Sequence, residues 1–403
     1  MILEKTARDA DGNELPVRIG VIGMAAAYAI TILYDKFTGA GFSISVDYKA
    51  VNALAKELEE SGQCDATILL MHGHASDTSS RLGSNTAIDL VLGGHMHTHE
   101  NWKTASGLTY LAPSAKAASY AYCEMVFSKE TEQPVFREIR DARNVVISRQ
   151  EDIATSLDPE IVMLTDTAVA AVDELLGAEI GYITEKAVRF DYFPESGKHS
   201  TAIGNWVCSI LARMVGADIG LINSGGMRAN FEIPEGQDKR VITLGDIYDI
   251  FPFDNKTCLF EITYEEMKKV LDYSLSTRGQ YLITEMSGMT CWYFNWQVLA
   301  MVAGDGTVIY SNGTWKDGWK DKKVRVAVPL FLVTTERKTD SGLSNPFWEW
   351  QDSSRRLETT ASQIEGTIRV LTEEAAANDG YLAIDTAPHY ILGVPDFDLT
   401  PDP

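Results

Sequence analysis

The segment IDLVLGGHMHTHE, Ile88 to Glu100, reads as a buried strand that ends in two glycines and a run of alternating histidines. A short apolar run bounded by glycine is how a strand covered on both faces presents itself. A second such run, ATILLM (Ala66 to Met71), is followed at once by His72. Ligands of open α/β sheets sit beyond the carboxyl ends of the strands, so two strands that both end at histidine mark one functional edge. Residues two apart on an extended segment face the same way, which pairs His95 with His97, or His97 with His99. Gly93 and Gly94 let the backbone turn sharply and close in on a ligand. His72, His95 and His97 form a nitrogen donor set suited to zinc or another first-row divalent ion. His74 and His99 read as polar neighbours of that set.

The rest of the composition narrows the function class. At 403 residues the chain has room for about two to three domains, and 45% hydrophobic residues supply ample core. The net charge of -22 argues against a nucleic-acid groove, which needs clustered Lys and Arg. A small anionic ligand remains compatible with it, given a local positive group or a metal. No run approaches the ~18 apolar residues of a membrane span. The opening MILEKTARDADGNELP lacks the basic and apolar regions of a secretory leader. Cys64, Cys123, Cys208, Cys258 and Cys291 are scattered without a CxxC pair. That pattern speaks against a disulfide framework or a thiolate zinc site, and Cys208 and Cys258 read as core.

Periodicity divides the chain into an α/β region over residues 1–148, a connecting helix over 149–178 and a second domain over 179–395, without repeats or low-complexity linkers. VRIGVIGM (Val17 to Met24) is a strand, and TYLAPSA and YAYCEMVFS are further strands. In YKAVNALAKELEESG, Val51, Leu54, Ala55 and Leu58 lie at helical spacing and Gly62 is the stop. Asp158-Pro159 opens a helix whose Ile161, Leu164, Ala168, Val172 and Leu175 form one apolar stripe. Ile203, Trp206, Val207, Ile210, Leu211, Met214 and Val215 predict an amphipathic helix closed by Gly216, followed by strand IGLIN. In TYEEMKKVLDYSL, Thr263 and Glu266 stand at capping-box spacing. The Pro/Asp-rich tail GVPDFDLTPDP is ordered where it docks.

Two motifs of the second domain carry chemistry. In NSGGMRAN, Asn223 ends a strand, Gly225 and Gly226 permit positive φ, and Arg228 projects past the turn. The planar fork of Arg228 suits a carboxylate or phosphate; a surface ion pair is the alternative. In FPFDN, Phe253 is either part of a packed turn or a stacking platform for a planar ring, with Asn255 as a polar neighbour.

LLMHGHASD, LGGHMHTH, LINSGGMRANF and TLGDIYDIFPFDNKTCLFEITYEEMKKVLDYSL, in this order, resemble the 5'-nucleotidase family. YLITEMSGM fits as well, through Ser287-Gly288. The resemblance covers most of residues 17–335. It implies an α/β (α+β) fold: the back part of a metallophosphoesterase β-sandwich with flanking helices, joined by a long helix to an α+β nucleotide-recognition domain. By the same resemblance His72 and His95 hold one metal, and His97 stands where a ligand of a second metal is found. Asn223, Gly225, Gly226 and Arg228 match the nucleotide-binding segment. Phe253 matches one side of an aromatic clamp around the base, Asn255 its polar neighbour, and Phe331 in VPLFLV stands for the second clamp ring.

Departures from the family pattern sharpen the expectation. The family opens with an Asp-x-His strand end, a Gly-Asp pair and an Asn-His-Glu turn, and none is found here. The resemblance therefore implies a chain that starts about one-third of the way through the metal domain, without the carboxylate that holds two cations ~3.5–4 Å apart. VTTERKTDSG replaces the family's Gly-Gly-Asp-Gly segment, and His199 stands where a phosphate-contacting arginine is common. The implied activity is hydrolysis of nucleoside 5'-monophosphates or related small phosphorylated substrates. The implied cofactors are two divalent ions, zinc, manganese or similar, in a complete site, and one or none in this chain. Rival readings are a nucleotide- or metabolite-binding module without catalysis, or a family member acting as nucleotide-sugar pyrophosphatase, cyclic-nucleotide phosphodiesterase or sulfur-ester hydrolase. Neither nucleic acid nor a membrane span enters any of them, and oligomeric state is left open.

Overall fold

The alternations read above become two layered units in a computed structural model. It describes residues 1–25, 46–115, 117–129, 134–147, 158–188, 200–276, 284–334, 342–360, 362–397 and 399, without the side chains of 75 and 76. The chain divides into Met1–Met163 and Leu164–Pro403.

The first unit is built on one six-stranded sheet. Its elements are β1 (Ile2–Arg8), β2 (Glu14–Ala25), α1 (Tyr48–Glu60), β3 (Ala66–His72), α2 (Ala75–Leu82), β4 (Leu90–Gly94), β5 (Glu100–Lys103) and β6 (Thr109–Ala112). The strand order is β1-β2-β3-β4-β6-β5. The four inner strands are parallel, and β1 and β5 add antiparallel edges. Leu69 and Met71 of β3, Val91 of β4 and Tyr110 of β6 pack with Tyr48 and Ala55 of α1 and Leu82 of α2. Asp47 caps α1 through the N–H groups of Lys49 and Ala50. Leu54 is exposed, because Tyr48, Val51, Ala55 and Leu58 form the stripe and Leu54 stands at its margin. On the other face lies a hairpin of β7 (Ser119–Lys129) and β8 (Pro134–Val146). Its Ile139 packs on Leu90 and Leu111. That cover is partial, since Leu70 of the central strand β3 stays 45% exposed. At the amino end of β4, burial pushes the Asp89 carboxyl up to about 6, against a stabilising 2.7 Å hydrogen bond from the Thr67 N–H.

The helix expected after residue 150 is α3 (Pro159–Leu176), entered by Asp158, whose carboxylate accepts from the Glu160 N–H at 2.9 Å. Residues 148–157 lie outside the described residues. No residue of α3 is buried, so the apolar stripe of Ile161, Leu164, Val172 and Leu175 is open.

The second unit stacks its layers on a five-stranded sheet, β13-β10-β18-β12-β19. In chain order the unit runs β9 (Glu179–Ile183), α4 (Ala202–Val215), β10 (Ile219–Asn223), β11 (Arg240–Thr243), α5 (Leu244–Ile250), β12 (Thr257–Thr263), α6 (Tyr264–Ser276), β13 (Thr284–Ser287), β14 (Met289–Phe294), β15 (Gln297–Ala303), β16 (Val308–Ser311), β17 (Thr314–Trp315), β18 (Lys323–Pro329), α7 (Leu330–Thr334), α8 (Pro346–Trp350), β19 (Arg356–Thr359), α9 (Gln363–Ala377) and β20 (Tyr390–Leu392). Alternation along β12 serves two cores: Leu259 joins α4, α5 and α9 on one face. Cys258, Phe260 and Ile262 join α6 and the second sheet, β17-β16-β15-β14-β20, on the other.

The stripe read on α4 is fully buried, and Gly216 ends the helix in the left-handed conformation. The helix lies so close to β10 that a Cβ on Gly220 would stand 1.8 Å from the Cys208 carbonyl oxygen. The capping box at the start of α6 is formed, with the Thr263 N–H donating to Glu266 at 3.0 Å and the Glu266 N–H to Thr263 Oγ1 at 3.2 Å. All five cysteines are free, and burial pushes the Cys208 and Cys291 thiols up. In the tail, Phe397 packs edge-on against Trp292 and its carbonyl accepts from Ser311 Oγ at 2.8 Å.

Candidate functional site

The histidine edge of the first unit follows from the register of two parallel strands. His72 pairs with Gly94, so His72 and His95 leave neighbouring strands at the same level. His95 Nδ1 lies 3.1 Å from His72 Nε2, with the rings edge to face at 4.9 Å. The His74 ring is 6.2 Å from that of His95. His99 is committed to Ser119 Oγ at 2.9 Å.

The expected alternation of His95 and His97 fails on backbone grounds. β4 ends at Gly94, and both histidines have positive φ, 83° and 59°. The segment is not extended there, so residues two apart do not share a direction. Non-glycine residues held in the left-handed region are strained, and such strain clusters at ligand sites. Among the described residues no group of three or more His, Cys, Asp or Glu side chains is drawn together for a metal.

The pair His72–His95 nevertheless fits a divalent ion. Imidazole nitrogens bind zinc at about 2.0–2.1 Å, and two of them at adjacent positions of one ion stand about 3 Å apart. The observed 3.1 Å, at which the two rings are within hydrogen-bond reach of each other, is close to that separation. The pair would fill two coordination positions.

Two residues that the sequence reading does not single out, Tyr110 and Asp254, shape the two sites. Tyr110 is buried on β6, and its phenol donates to the Gly73 carbonyl at 2.8 Å, between His72 and His74. A Cβ on Gly93 would stand 1.7 Å from that phenol oxygen, so Gly93 is bare because the ring passes there.

On the second unit the central sheet gathers the NSGGMRAN and FPFDN segments at one edge. β10 and β18 run parallel, with Gly220 opposite Ala327, while Thr257 at the start of β12 lies opposite Pro329 at the end of β18. Asn223, the FPFDN turn and α7 therefore leave the sheet together. Asn223 is buried, and a Cβ on Gly226 would come within 3.1 Å of its Oδ1. Neither Gly225 nor Gly226 has positive φ: Ser224–Gly226 is a single 3-10 turn. The second glycine answers to close packing on Asn223 and not to backbone sign.

Arg228 is anchored by its own N–H, which donates to the Ile250 carbonyl at 3.0 Å. Its guanidinium carbon lies 5.2 Å from the centre of the Phe253 ring. Arg228 makes no ion pair among the described residues, and its Nε is buried without a hydrogen-bond partner there. The FPFDN turn divides the two readings given to it: Phe251 is core, while Phe253 is 40% exposed. Asp254, at φ 41°, fixes the turn by accepting from Ser362 Oγ at 2.7 Å and from the Ile364 N–H at 3.1 Å. Asn255 accepts the Lys256 N–H on its side chain at 3.0 Å and the Gln363 N–H on its carbonyl at 2.7 Å. The Leu330 N–H donates to the Lys256 carbonyl at 2.8 Å, tying α7 to the turn. Phe331 follows on α7, partly buried against Tyr273 and Leu332. His199 and residues 335–341 of the altered segment lie outside the described residues.

The chemistry available is specific. A cationic planar fork, an exposed aromatic face and a buried carboxamide converge at one sheet edge. Two imidazoles spaced for one ion stand at another.

The family model described as the 5'-nucleotidase C-terminal domain matches residues 179–301. The trifunctional nucleotide phosphoesterase protein YfkN of Bacillus subtilis is 25% identical over 275 residues, 66% of this chain and 17% of that protein. The endonuclease YhcR of the same organism is 23% identical over 282 residues, 66% and 21% of the two chains. The aligned region thus spans about a fifth of these curated relatives. The fold is that of the 5'-nucleotidase precursor from Thermus thermophilus, with TM-score 0.65 and 15% identity over 96% of this chain and 74% of that one. It is also that of the sulfate thiohydrolase SoxB from the same organism, with TM-score 0.62 and 14% identity over 98% and 66%. The mixed α/β architecture expected from the sequence is borne out, and residues 179–301 carry a 5'-nucleotidase C-terminal domain.

Proposed function

We propose that this chain is part of a metal-dependent phosphohydrolase of the 5'-nucleotidase type, acting on nucleoside 5'-monophosphates or related nucleotides. In this reading a metallophosphoesterase part covers residues 1–148, a connecting helix 149–178 and a nucleotide-recognition part 179–395. The observation that carries the proposal is the Arg228–Phe253 pair beside Asn223 and Asn255, within the matched domain.

Phe253 offers its open face to the base, with Phe331 as the partner ring contributed by α7. The Arg228 fork takes the phosphate or ribose side through charge-assisted hydrogen bonds. Asn223 and the bare Gly225-Gly226 backbone let the ligand approach the turn closely. On the first unit His72 and His95 hold a divalent ion, zinc, manganese or similar, and His97 is assigned to a second one. Such ions, when bound, polarise the phosphate and lower the pKa of a coordinated water.

Calorimetric titration with AMP, with and without manganese, tests the reading, together with phosphate release. Binding that weakens in Arg228→Ala and Phe253→Ala supports it. No binding of any nucleoside monophosphate would overturn it. The location of Arg228, Phe253 and Asn255 on one unit also favours a second reading, a binding module without hydrolysis. That reading expects nucleotide affinity unaffected by metal, and affinity seen only with metal excludes it.

A further inference from the structure

The Tyr110 ring touches both strand ends that deliver the paired histidines. Its phenol donates to the carbonyl of Gly73, the residue directly after His72, at 2.8 Å. The same oxygen occupies the space that a side chain at position 93 would fill, two residues before His95. Its ring is stacked on Trp102, with centroids 5.5 Å apart and planes 4° from parallel. Tyr110 is 1% exposed, and Gly73 is buried. The Gly73 carbonyl therefore takes its hydrogen bond from this phenol in a place that bulk water does not reach.

We propose that Tyr110 is a positioning residue. It clamps the β3 end to the β4 end and so holds His72 Nε2 and His95 Nδ1 at the separation that one divalent ion accepts. The proposal rests on the metal reading above, but its mechanical part concerns this chain alone. The clamp acts on the backbone beside each histidine, at Gly73 and Gly93. Hydrogen-bond partners behind a metal ligand commonly govern affinity about 10–100-fold.

The test compares the wild-type chain with Tyr110→Phe, which keeps the stacked ring and removes only the donor. Leu108→Ala, in the same core, serves as a control for general loosening. Two readouts are taken. The first, on metal-free protein, is the imidazole nitrogen NMR spectrum of His72 and His95. The second is cobalt(II) titration followed by visible absorption. Expected are shifted imidazole resonances and a tenfold or larger loss of cobalt affinity in Tyr110→Phe, with Leu108→Ala unchanged in both. Imidazole spectra identical in wild type and Tyr110→Phe overturn the clamp, as do equal changes in the two variants. A wild type that binds no cobalt defeats the metal reading instead, while the metal-free spectra still decide the clamp.

Discussion

Arg228→Ala separates recognition from stability because the structure sets two small effects against each other in the free protein. The substitution removes a cation–π contact with a 40% exposed ring, worth about 0.5–1 kcal/mol. It also removes a buried Nε that lacks a hydrogen-bond partner among the described residues, a relief on the order of 1 kcal/mol. The net change in stability is within about 1 kcal/mol, so Tm moves by no more than about 4 °C. Binding loses at least one charge-assisted hydrogen bond to the ligand, about 1.5–3 kcal/mol, which raises Kd for AMP about 10–100-fold. Arg228→Lys keeps the charge without the planar fork and is expected to fall between the two. Isothermal calorimetry gives Kd, and differential scanning calorimetry gives Tm. Unchanged affinity in Arg228→Ala refutes the assignment. So does a loss of affinity that only follows a large fall in Tm, since Arg228 would then be a structural residue.

Other outcomes follow from the packing and the charges. Phe253→Ala is expected to weaken AMP binding about tenfold through loss of one stacking face while leaving Tm nearly unchanged, as read by the same calorimetry. Gly220→Ala places a methyl against the Cys208 carbonyl and should cost about 3 kcal/mol or more in urea unfolding; a smaller cost would mean that α4 moves freely over β10. Thr263→Ala breaks a formed capping box and should cost about 1 kcal/mol in the same assay. The Asp89 carboxyl is raised to about 6 in the folded chain, against about 4 when unfolded. The folded state thus keeps a proton that the unfolded state releases between those values. Stability falls as pH rises from about 4 to 6 and is then level. Asp89→Asn keeps the acceptor for Thr67 and should remove that decline, leaving the variant about 1–3 kcal/mol ahead of wild type at pH 7.

Elements whose pattern is local were legible in the chain. The seven apolar positions of α4 and the apolar runs of β3 and β4 state their own burial, and two strand ends carrying histidine marked the edge where His72 and His95 meet before any register was known. The NSGGMRAN and FPFDN segments likewise named Arg228 and Phe253. What escaped depends on partners distant in sequence. Tyr110 looks like any strand aromatic until β6 places it under Gly93 and Gly73. The exposed antiparallel edge strand β1 carries Glu4, Lys5 and Arg8, and its pairing with β2 fixes it more than its own pattern does. The direction of His97 could not be read, because periodicity presumes an extended backbone and positive φ at His95 and His97 ends it. Gly226 shows the same gap: one-letter patterns report that a glycine is needed, but not whether sign of φ or closeness of Asn223 requires it. The α3 stripe teaches the converse, for apolar spacing on a helix states a capacity for burial and α3 leaves it unused among the described residues.

The central claim is that the nucleotide is held by Arg228 and Phe253 on the second unit. A crystal structure of the protein with bound AMP tests it most directly. The account expects the purine ring over the open face of Phe253, with the Arg228 guanidinium on the phosphate or ribose. Density for AMP elsewhere on the chain, with Arg228 still stacked on a bare Phe253, would contradict it.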